Sequence, residues 1–287
     1  MTTHGFHHAL NPTLRELTVH MTGPARLLFR VALVTVLLAL TTAGCAPKKS
    51  VAPAGILEAD KFLFDRGQEL LAKRKWLQAR EHFQQVVENY PQSTYRPEAK
   101  LALGDTYIGE GTTESLILAQ NEFKEFLTFY PNSGRADYAQ YRLGYTHYKQ
   151  MLAPDRDQTS TREAIAEWQL FMERYPNSTI RSDVAAKLRE ARDRLSASEY
   201  RVGLFYFRIK WYAGAIDRFK SVLTQDPEFS GRDAVYFYLA ESLVVVNRPA
   251  EALPYFDRLT KEFVKSEYLA QAEKRVAALK AAVDVPK

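Results

Sequence analysis

The chain has 287 residues with 39 basic and 34 acidic side chains, a formal net charge of +5. Residues 1–45 contribute two of these five charges, and the rest of the chain interleaves both signs without a basic stripe. We therefore exclude nucleic acid as the expected partner, since its binding depends on a dense basic surface.

The N-terminus carries a short apolar run between residues 27 and 39, with Arg26 before it and Arg30 inside it. The uninterrupted apolar part is roughly ten residues, whereas spanning a bilayer takes about 20. A basic flank followed by a short apolar core is typical of a secretory signal peptide. We expect residues 1–44 to form that signal peptide, with Met21 as an alternative start.

The only cysteine, Cys45, follows directly on Ala43 and Gly44. This arrangement resembles the lipobox of bacterial lipoproteins, although Thr42 stands where that motif usually has leucine. The resemblance implies that Cys45 is lipidated, and residues 45–55 then form a tether to the membrane. By the same resemblance, the lack of an aspartate after the cysteine implies sorting to the outer membrane. A plain signal peptide with an incidental cysteine is the alternative.

A repeat runs through residues 56–287. In five copies a small residue is followed four positions later by an aromatic residue, and in the first four a proline comes eight positions after that. The five sets are Ala79, Phe83 and Pro91; Ala119, Phe123 and Pro131; Ala164, Trp168 and Pro176; Ala215, Phe219 and Pro227; and Ala252 with Phe256.

The spacing of these residues predicts pairs of antiparallel helices. Positions i and i+4 share a helix face, and proline ends a helical unit. A glycine upstream in four copies (Gly67, Gly104, Gly144 and Gly203) lets the second helix approach the first closely. The period is that of tetratricopeptide repeats, about 34 residues. We predict an all-α fold, an α-solenoid of about five tetratricopeptide helix pairs with a C-terminal capping helix.

The predicted repeats cover roughly residues 60–93, 97–133, 137–178, 196–229 and 233–266, and the capping helix covers 268–283. The second repeat has about three extra residues, which we place at its turn (109–113), and the third has about eight in 151–161. Residues 182–198 contain neither glycine nor proline. They are expected to continue into repeat 4 as one helix of about 30 residues.

One stretch resembles a known family in detail. It comprises Tyr175-Pro-Asn-Ser178, Asp193-Arg194-Leu195, Glu199-Tyr200 and the aromatic residues Tyr206 and Trp211. Together with the lipobox and the five repeats, it resembles BamD, the lipoprotein family of the β-barrel assembly machinery. The resemblance implies a lipid-anchored scaffold on the periplasmic side of the outer membrane. Its implied partners are a BamA-like insertase, other subunits of the complex and unfolded outer-membrane proteins.

The first helices of tetratricopeptide arrays line a concave groove, which gives a candidate peptide site. Tyr141, Tyr145 and Tyr148 follow i, i+4, i+7 spacing and offer apolar area with hydroxyl tips. Whether this stripe faces the groove or the core stays open at this point. The full candidate set is Phe64, Gln68, Asp105, Tyr141, Tyr145, Tyr148 and Tyr200.

We expect no enzyme activity, no cofactor and no metal site. Four of the six histidines lie in the first 20 residues, and His82 and His147 are far apart in sequence. No Ser/His/Asp order, phosphate-binding glycine loop or zinc spacing is present. Two alternatives to the assembly scaffold remain: a cell-envelope coordinator of the Tol-Pal or peptidoglycan type, and a periplasmic peptide-binding chaperone.

Overall fold

The computed structural model describes residues 58–283, and this part of the chain contains eleven α-helices and no strand. The signal peptide, Cys45 and the tether predicted for residues 1–55 lie outside the described residues. The helices are α1 (Ala59–Ala72), α2 (Trp76–Asn89), α3 (Arg96–Glu110), α4 (Thr113–Phe129), α5 (Ala136–Tyr148), α6 (Thr159–Arg174), α7 (Arg181–Arg208), α8 (Tyr212–Gln225), α9 (Arg232–Val245), α10 (Pro249–Glu262) and α11 (Leu269–Val283).

Each helix packs mainly against its neighbours in the chain. Helices α1 to α10 therefore form five consecutive pairs, and α11 packs on α10 at the end of the series. We call α1, α3, α5, α7 and α9 the first helices, and α2, α4, α6, α8 and α10 the second helices. This architecture confirms the predicted α-solenoid of five tetratricopeptide helix pairs with a C-terminal capping helix.

The repeated alanine and aromatic residues form the core between helices. All five alanines and all five aromatic residues of the repeat are fully buried. No helix pair buries its apolar face alone, so stacking of successive pairs produces the continuous core. The prediction that these residues serve packing is confirmed.

The upstream glycines allow close contact between the two helices of a pair. A Cβ atom added at Gly67 would lie 2.6 Å from Cε1 of Phe83, and one at Gly203 would lie 2.6 Å from Cε1 of Phe219. A Cβ atom added at Gly144 would likewise overlap the ring of Trp168. Each large aromatic ring thus occupies the space that a side chain on the first helix would need.

The serine that follows the proline of a repeat does not cap the next helix. The side chain of Ser93 instead accepts a hydrogen bond of 3.1 Å from the backbone N–H of Tyr95, before α3 begins. Ser133 accepts the same bond from Arg135. The serines therefore shape the turn between repeats, and helices α3 and α5 start without a side-chain cap.

The insertions are accommodated in two ways. Helix α7 has 28 residues, which confirms the long helix predicted to join repeats 3 and 4. The extra residues of repeat 2 do not enlarge its turn as predicted. They lengthen α3 and α4 to 15 and 17 residues, so only Gly111 and Thr112 separate the two helices.

Within residues 58–283, none of the helices combines the length and apolar character that a membrane crossing requires.

Candidate functional site along the first helices

The predicted groove residues lie on successive first helices, and most of them contact a neighbouring helix or the turn before it. Phe64 of α1 stacks on Tyr95, with ring centroids 5.3 Å apart. Gln68 is exposed on α1 and takes no part in these contacts. The remaining candidates lie on α3, α5 and α7, each beside the first helix of the following repeat.

Two side chains of α5 bind the carboxylate of Asp105 on α3. Its Oδ1 lies 2.6 Å from Nη2 of Arg142, and its Oδ2 accepts a 2.8 Å hydrogen bond from the hydroxyl of Tyr138. Burial raises the pKa of Asp105, an effect that the Arg142 charge opposes. Burial likewise raises the pKa of Tyr138, and the neighbouring Asp105 adds to this. The carboxylate of Asp105 is thus engaged in joining repeats 2 and 3.

The three tyrosines of α5 form a continuous ladder of half-buried rings. The centroids of Tyr141 and Tyr145 are 6.0 Å apart, and those of Tyr145 and Tyr148 are 5.7 Å apart. The ring of Tyr148 also packs on buried Trp168 at 5.4 Å. The stripe therefore belongs partly to the core and partly to the surface.

Helix α7 supplies charged partners to this tyrosine ladder. Nζ of Lys187 lies 4.9 Å from the ring centroid of Tyr148 and 5.4 Å from that of Tyr145, within the range of a cation–π interaction. The Tyr148 hydroxyl donates a 2.7 Å hydrogen bond to Oε2 of Glu190. This hydrogen bond raises the pKa of Tyr148 to about 12, with burial as a further cause.

Tyr200 of α7 contacts the aromatic residues of repeats 4 and 5. Its ring lies 5.9 Å from that of Phe219 and 6.4 Å from that of Tyr238. Burial raises the pKa of Tyr200 to about 12. Tyr200 also lines a cleft of about 680 Å³ that runs between α7 and the loop before α6.

Two arginines of α7 bind the loop at residues 149–158. Nη1 of Arg194 donates a 3.2 Å hydrogen bond to the carbonyl oxygen of Leu152. Nη1 of Arg201 lies 3.3 Å from Oδ1 of Asp155, in an exposed ion pair. The insertion predicted in repeat 3 thus forms one wall of the Tyr200 cleft.

Four residues that the sequence pattern did not identify complete the surroundings of the predicted groove residues: Tyr138, Arg142, Lys187 and Glu190. Tyr138 precedes Tyr141 by one helical turn on the same helix face, so the periodicity that selected the stripe could have included it. Lys187 and Glu190 lie in the half-repeat insertion of α7. This insertion has no counterpart in the regular repeat, so the repeat spacing did not predict its contacts with Tyr145 and Tyr148.

The two histidines of the described region lie in separate packing environments. Nδ1 of His147 is 2.8 Å from Oε2 of Glu163, and His82 is half-buried on α2. Burial lowers the pKa of both histidines. Among residues 58–283, no group of three His, Cys, Asp or Glu side chains is arranged to hold a metal ion.

Comparisons with known proteins place this geometry in context. A family model described as YfiO, outer membrane lipoprotein, matches residues 58–245. The outer membrane protein assembly factor BamD of Caulobacter vibrioides is 28% identical over 225 residues, 77% of this chain and 72% of that protein. BamD of Rickettsia prowazekii is 24% identical over 238 residues, 83% of this chain and 92% of the relative.

Among solved structures, the TPR2AB domain of yeast Sti1, in its complex with an Hsp90 segment, aligns with 78% of this chain and 84% of its own. The identity is 15% and the TM-score is 0.43.

Proposed function

This chain belongs to the YfiO family of outer membrane lipoproteins, and we propose that it acts in outer membrane protein assembly as a non-catalytic, periplasm-facing scaffold. The observation that carries the proposal is the family match over residues 58–245, which spans helices α1 to α9. Two relatives that cover most of the chain carry the name of an outer membrane protein assembly factor.

In the proposed scaffold, Cys45 carries the lipid that anchors the chain to the periplasmic side of the outer membrane. The partners are a BamA-like insertase and the other subunits of the assembly complex. Unfolded outer-membrane proteins are the proposed substrates. Lipidation is tested by Cys45→Ser, which should move the protein from the membrane fraction to the soluble fraction of fractionated cells. Membrane retention of this variant would contradict the anchor.

We further propose that extended substrate segments lie along the first helices. Half-buried aromatic rings offer apolar contact area at little entropic cost. The ladder of Tyr141, Tyr145 and Tyr148 supplies such rings, and Lys187 lies over two of them. Gln68 is exposed on α1, another of the first helices, and its side chain is accessible to a bound chain.

Affinity purification of the tagged, detergent-extracted protein from its own cells tests the assembly role. We expect a large outer-membrane barrel with periplasmic repeat domains to co-purify, and the untagged strain is the control. Recovery of Tol-Pal or peptidoglycan-synthesis proteins without that barrel would instead support the envelope-coordinator alternative. Recovery of soluble clients alone would support the chaperone alternative.

Site-specific photo-cross-linking tests the peptide groove. A photoreactive amino acid replaces Gln68 or Tyr141 on the first helices, and Ala166, exposed on the second helix α6, is the matched control. We expect cross-links to unfolded outer-membrane proteins from the first two positions only. Equal cross-linking from Ala166 would contradict a groove along the first helices.

A further inference from the structure

A second cleft lies at the C-terminal end of the solenoid, between α7, α9 and α11, with a volume of about 500 Å³. Phe207 of α7 lines it together with Phe237 and Tyr238 of α9. Helix α11 contributes Lys274 and Arg275 to the opposite wall. None of these residues belongs to the groove candidates along α1, α3 and α5.

The floor of this C-terminal cleft is aromatic. Tyr238 packs edge to face on Phe207 at 5.1 Å and on Phe237 at 5.4 Å. Phe237 is buried, whereas Phe207 and Tyr238 are half-buried and retain accessible ring area. A cleft of this volume, with aromatic walls and a few polar groups, is typical of sites that take a small molecule or a side chain.

The rim of the cleft carries uncompensated positive charge. Glu241 accepts two hydrogen bonds of 2.6 Å from Arg275. The charges of these two side chains neutralise each other, and the bonds join α9 to α11. Lys274 is exposed and forms no ion pair with any residue between 58 and 283. One unpaired cation therefore lies beside the aromatic floor of the cleft.

We propose that this cleft binds an extended peptide segment in which an aromatic side chain neighbours a carboxylate. The aromatic ring packs against Phe207 and Tyr238, where offset or edge-to-face contact is favourable. The carboxylate pairs with Lys274 at the rim. Charge complementarity selects this occupant over a basic or purely apolar segment, because those leave Lys274 unpaired.

Fluorescence anisotropy with labelled hexapeptides tests the proposal on the full-length chain in detergent micelles. The probe is Gly-Ser-Asp-Phe-Glu-Gly, and the controls replace its phenylalanine with alanine or its acids with their amides. We expect the probe to bind about tenfold more tightly than either control. Equal affinities for the three peptides would overturn the proposal.

Two variants assign the binding to this cleft. Ala278 is exposed on its wall, so Ala278→Trp fills the space without disturbing the core. Lys274→Glu reverses the rim charge. Each should weaken the probe about tenfold. Lys280→Glu is the matched control, because Lys280 faces Asp257 of α10 at 3.6 Å and should leave affinity unchanged.

Melting curves of Ala278→Trp and Lys274→Glu should match the unaltered chain, since these side chains are exposed and form no ion pair within the described residues. Lys280→Glu replaces an exposed ion pair with Asp257 by two like charges, so its melting temperature should fall slightly. Unchanged probe affinity in Ala278→Trp would overturn the assignment to this cleft. Equal losses in Lys274→Glu and Lys280→Glu would also overturn it, because they would indicate a general charge effect.

Discussion

The hydroxyl of Ser178 donates a 2.6 Å hydrogen bond to Oδ2 of Asp137, which ties the last turn of repeat 3 to the start of its first helix. Ser266 binds Oδ2 of Asp233 in the same way in repeat 5, also at 2.6 Å. In repeat 4 the helix position carries a serine, Phe229 stands at the position of Ser178, and the aspartate lies just before Pro227. Ser196 lies on the helix and donates a 2.6 Å hydrogen bond to Oδ2 of Asp226 in the turn.

Removing the serine–aspartate bond of repeat 3 should lower the free energy of unfolding. We expect Ser178→Ala to cost about 1–2 kcal/mol, because the bond is charge-assisted and partly buried. Urea denaturation of Ser178→Ala, Asp137→Ala and the double variant gives their coupling energy.

Ser133→Ala is the matched control for this cycle. Ser133 shapes the equivalent turn of repeat 2, but Pro97 stands at the position of Asp137. Ser133→Ala should therefore lower the free energy of unfolding by less than Ser178→Ala does. Strictly additive effects of Ser178→Ala and Asp137→Ala would show that the hydrogen bond contributes nothing.

The Ser196–Asp226 pair of repeat 4 predicts a dependence of stability on acid pH. Burial of Asp226 opposes its ionisation, but hydrogen bonds from Arg189 and Ser196 outweigh that effect and lower its pKa. A lowered folded-state pKa stabilises the protein above the unfolded pKa, near 3.9, and this stabilisation is lost as pH falls through the folded value.

We expect Asp226→Asn to cost about 1–3 kcal/mol at pH 7, because Arg189 loses the most buried of its three charged partners and keeps only Asp193 and Glu228. Urea unfolding of both proteins from pH 7 to pH 3 should show a constant gap above about pH 5 that narrows below about pH 4. A gap that does not depend on pH would contradict this role of the Asp226 charge.

The close helix contact in repeat 1 predicts a large effect of one added methyl group. Gly67→Ala would place Cβ 2.6 Å from the buried ring of Phe83, which has no free space to move into. We expect a loss of about 2–3 kcal/mol from overpacking. Gly134→Ala is the control, because its Cβ would meet nothing within 4 Å. Similar melting temperatures for the two variants would contradict the packing role of Gly67.

His147 predicts a second pH effect at milder acidity. Burial lowers its pKa, although Glu163 and Glu167 favour the protonated form and Lys124 opposes it. Below the unfolded pKa, about 6.5, the unfolded chain takes up a proton that the folded chain resists, so stability falls with pH. His147→Gln should lose less stability than the unaltered chain between pH 7.5 and pH 5.5 in urea unfolding. His82 remains in both proteins, so its contribution cancels. Parallel declines of the two proteins would contradict the prediction.

The correct predictions of the core positions and of the long helix rest on short-range sequence patterns. Alanine and aromatic residues four positions apart identified the core faces, because helical periodicity depends only on the chain itself. The absence of glycine and proline between 182 and 198 identified the long helix for the same reason.

The contacts of the groove residues could not be predicted from short-range patterns. Projection onto a regular repeat selected Asp105 and the tyrosines of α5, but their environment depends on neighbouring helices. Asp105 binds Arg142 and Tyr138, while Tyr148 binds Glu190 of the long helix. Side chains more than 30 positions apart meet only after the helices have stacked.

Local periodicity and helix-breaking residues specify the helix pairs, the buried alanine and aromatic positions and the long α7, so these can be read from the chain. The pairing of Ser196 with Asp226, the exposure of the tyrosine ladder and the position of the C-terminal cleft arise only when the repeats pack together. Those features depend on the rotation of each helix pair against the next, which no single repeat specifies.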